Sequence, residues 1–142
     1  MKSSQQFETP PQPEEQLSRF IYRHWNIRPD GTIKPDEFLP DPHDETSVFR
    51  TDDMSPAEIT ETGKEVGSRS NRLLEGWGDF LAEAAYERKL SVDPAPDVEL
   101  SRGERHAVLV GWPPKEPKSL RMSIAVHLAD KAGQVRRPAP PP

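Results

Sequence analysis

Cysteine is absent from this chain of 142 residues. Its absence excludes disulfide stapling, thiolate catalysis and every metal site built on cysteine sulfur. Long apolar runs are also missing, and none approaches the roughly 18 to 20 residues that a membrane helix needs. The opening stretch "MKSSQQFETPPQPEEQ" is polar, so no basic and apolar leader is expected. Aromatic residues make up only 7% and hydrophobic residues 32%, with a mean hydropathy of −0.84. These values suit a single modest core rather than two. The expectation is a soluble cytoplasmic protein with no membrane partner.

Proline is abundant, with 17 residues, and many lie where no core is expected. The apolar side chains gather between Leu17 and Val135, which predicts a folded middle between proline-rich tails. On this reading residues 1–16 and 138–142 are disordered and 17–137 form one domain. Charge is split as well. Residues 1–62 carry 13 acids and 6 bases, a net of −7, while residues 63–142 carry a net of +2 within an overall −5. Such a balance does not favour nucleic acid, whose binding draws on a concentrated basic face.

Local patterns predict a compact α+β domain, a short-stranded sheet with about three helices. "LSRFIYRHW" alternates aromatic and polar residues as a strand does. Pro29-Asp30-Gly31 has tight-turn chemistry, and Phe38 and Leu39 are expected to pin the proline-rich loop that follows. Ser47–Arg50 reads as a strand. Ser55, Pro56 and Glu58 then spell a capping box with proline at the first helical position, for a helix ending near Gly67. Leu73, Leu74, Trp77, Phe80, Leu81, Ala84 and Ala85 repeat at helical spacing. Gly76 and Gly78 weaken its start, which predicts a loop to Gly78 and a helix over 79–89 capped by Asp79. Leu90–Val92 is a short strand and "HAVLVGW" the central, most buried one. A helix from Pro117 stops at Gly133, and a strand over 134–137 would complete a crossover unit with 106–111.

Chemistry is sought first at Arg50, Thr51, Asp52 and Asp53, at the junction of strand and helix. There the arginine and acids could meet a ligand or partner, or simply one another and the helix end. His106, at the start of a buried strand, is a candidate acid or base if a carboxylate approaches it. Arg69 and Arg72 form one candidate anion-binding group, and Lys115, Lys118 and Arg121 another, with Trp112 near the second. Trp25 and Phe38 would mark a protein interface if exposed together. Histidine and carboxylate could assemble a zinc site, for example His43 with Asp41, Asp44 or Glu45, but no two histidines have the spacing of a metal helix. No metal and no cofactor are expected, and no nucleophile elbow or glycine-rich phosphate loop is present.

Taken together, "RPDGTIKPDEFLP", "SVFRTDDMSPAEI" and "VLVGWPP" resemble a family of small prokaryotic proteins without an established function. The most distinctive part runs through Ser47, Val48, Phe49, Arg50, Thr51, Asp52, Met54, Ser55 and Ile59, and next come Gly111 and Trp112. The resemblance implies a prokaryotic, phage or mobile-element origin and a self-contained domain, and no activity. Three functions follow from the residues themselves. The first is an accessory protein acting through protein contact. The second is a ligand- or nucleotide-binding domain or small enzyme using Arg50 with Asp52 or His106. The third is a weak nucleic-acid binder through Lys115, Lys118 and Arg121. Whether the chain is an enzyme stays open at this point.

Overall fold

The computed structural model of the chain describes residues 4–40 and 43–138. Five strands form one sheet: β1 (Gln16–Ile21), β2 (Thr46–Arg50), β3 (Gly76–Leu81), β4 (Ser91–Pro94) and β5 (His106–Val110). Their order is β3-β1-β2-β5-β4 and every neighbouring pair is antiparallel. Three helices accompany them: α1 (Pro56–Ser68), α2 (Ala82–Tyr86) and α3 (Lys118–Ala132). This is the α+β domain that the residue patterns predict. Among the described residues no helix is long and apolar enough to cross a membrane.

The two-residue period of the strands sends side chains to both faces, and both are covered. On one face Leu17, Ile21, Val48, Phe80, Val92 and Leu109 pack with α2, with Ala125 and Leu128 of α3, and with Ile33 and Phe38. On the other, Phe20, Phe49 and Trp77 meet Ile59 of α1, together with Leu74 and Leu100. Gly63 on α1 lets the helix approach closely, because a Cβ there would lie 2.8 Å from Phe20 and Leu74 atoms. The helix starts as its letters predict. Ser55 Oγ accepts from the Glu58 amide at 3.2 Å, and Glu58 Oε1 accepts from the Ser55 amide at 2.9 Å.

Several expectations are corrected. Residues 76–81 form strand β3 rather than a loop and helix start, and only Ala82–Tyr86 is helical. The helical spacing there is accidental, since Leu73 is 73% and Leu81 45% exposed. The glycines decide the matter: a Cβ on Gly76 would lie 2.6 Å from the Arg136 carbonyl, and one on Gly78 2.7 Å from Ile33 Cδ1. Asp79 accordingly caps no helix, and it accepts from Ser18 Oγ instead. The strand at 106–110 lies between β2 and β4, so β2 is the central one. No crossover forms, because Gln134 bridges Thr32 and Arg136 bridges Trp77, both antiparallel.

The amino-terminal segment also departs from expectation. From Phe7 onward it packs on the domain: Phe7 and Pro11 are buried. Prolines lack amide donors but keep carbonyls, and this stretch uses them on α2, whose first amides have no partner within the helix. Ala82 N donates to Glu15 O at 2.9 Å, Glu83 N to Pro13 O at 2.8 Å and Tyr86 Oη to Pro11 O at 2.6 Å. Of the expected tails, 1–16 and 138–142, residues 1–3 and 139–142 lie outside the described residues.

Candidate functional site

The junction at 50–53 is consumed by the fold. Arg50, 3% exposed, extends beneath the amino-terminal segment. Its Nε and Nη2 donate to Glu15 Oε2 and Oε1 at 2.6 and 3.0 Å, and Nη1 donates to the carbonyls of Thr9 and Phe7 at 2.6 and 3.2 Å. The guanidinium also lies 5.2 Å from the Phe7 ring centroid, and that of Arg105 lies 4.7 Å from the same ring. Thr51 Oγ1 is 2.7 Å from Ser18 Oγ and accepts from Gln16 Nε2 at 2.9 Å. Asp52 accepts from the Gln16 amide at 3.3 Å. Asp53 receives both terminal nitrogens of Arg105, at 2.6 and 3.1 Å.

His106 does not join Arg50. It pairs with Phe49 across the sheet, and the alternation of strand side chains puts Phe49 and Arg50 on opposite faces. Its Nδ1 lies 2.7 Å from the Ala95 carbonyl and its ring 5.1 Å from that of Phe49. The two anion-binding groups are likewise divided. Arg69 pairs with Asp97 at 2.8 Å and Glu99 at 3.4 Å. Arg121 is buried, donating to the Pro113 carbonyl at 2.6 Å and to Asp44 at 3.0 Å. Lys115 and Lys118 stay exposed. Phe38 is fully buried and forms no interface with Trp25, which is 58% exposed. Among the acids considered beside His43, Asp41 lies outside the described residues. Among the described residues no group of three or more histidine or carboxylate side chains is placed to hold a metal.

What the fold does open is a cleft of about 450 Å³ between the diverging ends of β1 and β2. The ladder between these strands registers Leu17 with Arg50 and Ser18 with Phe49, then stops. Arg19 spans the gap beyond it: Nη1 donates to the Ser47 carbonyl at 3.0 Å and Nε to the Glu37 carbonyl at 3.0 Å. Glu37, 7% exposed, pairs with Arg19 at 3.2 Å and accepts from Asn26 Nδ2 at 3.0 Å. Phe20 and Phe49 contribute to the floor. Tyr22, Arg23, Asp36 and, from the loop after α1, Ser70 and Arg72 also line it.

The electrostatics are lopsided. Glu37 answers Arg19, and burial together with the nearby positive charge of Arg23 still holds the Arg19 guanidinium below its ordinary value. Arg23 and Arg72 are exposed, and among the described residues neither has a carboxylate within ion-pair distance. Arg72 is nonetheless held in place, since its Nε donates to Ser70 Oγ at 3.1 Å and its guanidinium lies 5.7 Å from the Tyr22 ring centroid. Tyr22 Oη donates to the Gly63 carbonyl at 2.6 Å, and burial pushes this phenol well above its ordinary value. The arrangement can bind an anionic group. Among its described lining residues there is no histidine to move a proton.

Of the charged residues here, only Arg72 stood among the candidates from sequence. Arg19, Arg23, Asp36 and Glu37 belong to stretches read as strand or loop. The alternation in "SRFIYR" places Arg19 and Arg23 in register, but nothing in it reveals that β2 turns away. Compared with family models, with curated proteins and with solved structures, the chain has no match.

Proposed function

We propose that this chain is a cytoplasmic interaction module that holds another protein at the cleft between β1 and β2 and on the adjoining turn that carries Trp25. The observation that supports this best is the contrast between two sets of arginines. Arg50, Arg105 and Arg121 are tied to carbonyls and carboxylates of their own chain, whereas Arg23 and Arg72 stand exposed at an open cleft. Trp25 lies in the single turn His24–Asn26, between the lining residues Arg23 and Asn26, and an exposed indole beside arginines has the composition of an interface anchor. The alternative built on Arg50 and His106 loses support, because the two groups serve separate parts of the fold. The nucleic-acid reading is left with two exposed lysines, Arg121 being engaged elsewhere.

A photo-crosslinking amino acid placed at position 25 tests this in cells of the source organism. The expected result is one discrete crosslinked protein, absent when the same group replaces Val126, which lines no part of the cleft. Equal crosslinking from both positions, or none from position 25, would remove the reading.

A further inference from the structure

Resting on that reading, we infer that the partner enters the cleft as an extended, acidic segment, bound through its main chain at Phe20 and through its carboxylates at Arg23 and Arg72. The main-chain part follows from strand parity. The amides of Ala82 and Glu75 donate to the carbonyls of Glu15 and Ile21, so odd-numbered residues of β1 turn their backbone groups toward β3. Even-numbered residues turn toward β2, as the bond from the Thr51 amide to the Gln16 carbonyl shows. Phe20 is the next even residue after Ser18, and the ladder to β2 ends before it. Ser47, its would-be neighbour, gives its carbonyl to Arg19. The amide and carbonyl of Phe20 therefore face the cleft, where an added strand would satisfy them.

Charge selects what that strand carries. Of the charged side chains that line the cleft, Arg19 and Glu37 pair with each other, which leaves Arg23 and Arg72 against Asp36 alone. The cleft therefore carries a net positive charge, which favours an acidic segment over a basic one. Arg72 is pre-positioned by Ser70 and Tyr22, which lowers the ordering cost of capturing a carboxylate. One group opposes the ligand. Asp36 is exposed on the cleft wall, and among the described residues it forms no ion pair.

The test is fluorescence anisotropy at low salt with the whole chain and a fluorescein-labelled eight-residue peptide alternating glutamate and valine. Binding is expected to weaken about tenfold in each of Arg23→Gln and Arg72→Gln, the loss of one charge-assisted contact. It should tighten in Asp36→Asn and fade as salt rises. These side chains are exposed, so the substitutions leave the fold intact, which circular dichroism of each variant verifies. Equal affinity for a lysine–valine peptide, or indifference to both arginine substitutions, would overturn the acidic segment. So would full displacement by inorganic phosphate at millimolar concentration, which would assign the site to free phosphate. If the peptide fails while crosslinking at position 25 persists, the interaction reading stands and only this chemistry falls. Loss of both would remove the two together.

Discussion

Arg50 and Glu15 form a two-pronged ion pair across 35 residues of sequence, with Nε–Oε2 at 2.6 Å and Nη2–Oε1 at 3.0 Å. The pair fastens the amino-terminal segment to β2, and the same guanidinium also holds the carbonyls of Phe7 and Thr9. All three guanidinium nitrogens are thereby engaged within the chain, in the manner of a clasp on a strap.

Removing the arginine leaves a partly buried carboxylate and several carbonyls without their donor. Arg50→Ala is therefore expected to cost about 3–5 kcal/mol, the range for breaking a buried pair. Glu15→Gln keeps the carbonyl contacts and should cost about 1–2 kcal/mol. Urea unfolding measures both. Limited proteolysis adds a local readout, because residues 7–15 should become cleavable in Arg50→Ala while the rest of the chain resists. Resistance equal to that of the parent protein would show that the segment is held by other contacts.

The capping box at Ser55 and Glu58 supplies an acid-dependent contribution. Hydrogen bonds from the backbone and side chain of Ser55 hold the Glu58 carboxyl below its ordinary value near 4.5. A depressed folded value means that the unfolded chain binds the proton first as pH falls. The stabilisation is complete above the ordinary value and disappears as pH drops through the folded one. Ser55→Ala should cost about 1 kcal/mol at neutral pH. Glu58→Gln should flatten the pH dependence of urea unfolding between pH 6 and 3. An unchanged slope in that variant would assign the acid sensitivity to other carboxylates.

How much of this was legible follows the range of the interactions. The capping box, the Asp30-Gly31 turn and the stop at Gly133 depend on neighbours a few residues away, and all three stand where the letters place them. Strand β3 was hidden because Trp77, Phe80 and Leu81 happen to fall at helical spacing. The deciding contacts, from Arg136 and Ile33 onto Gly76 and Gly78, come from distant segments. The amino-terminal segment looked disordered for a related reason. It is held largely through its own carbonyls, which accept from Arg50, Ala82, Glu83 and Tyr86, and a carbonyl is something every residue has and composition does not weigh. The cleft was illegible as a unit, since Arg19, Glu37 and Arg72 come from three stretches brought together only where β1 and β2 part.

Gly63 offers a test of the packing between α1 and the sheet. Alanine would raise the intrinsic helix preference by up to about 1 kcal/mol. Its Cβ, however, would meet Leu74 Cδ2 and two Phe20 ring carbons at 2.8 Å, too close without a shift. Overpacking of this kind costs about 1–3 kcal/mol, so Gly63→Ala should be net destabilising. A stabilised variant in thermal unfolding would mean that α1 moves outward freely.

Tyr22 and Tyr86, the chain's two tyrosines, point to the opposite end of the pH scale. Each donates its hydroxyl to a carbonyl at 2.6 Å, Tyr22 to Gly63 and Tyr86 to Pro11. Burial raises both phenols above their ordinary value of 10. The unfolded chain therefore releases these protons at a lower pH than the folded one does. The stability they provide is complete below about pH 10 and is lost as pH climbs through the folded values. Tyr22→Phe should cost about 1 kcal/mol at neutral pH, by removing the bond to Gly63. It should also reduce the steepness with which the urea midpoint falls from pH 9 to 12. Ultraviolet absorbance of tyrosinate gives an independent check, since the native protein should titrate later than its urea-unfolded form. Coincident titrations would mean that water reaches both hydroxyls in the folded state, and that neither bond protects its phenol.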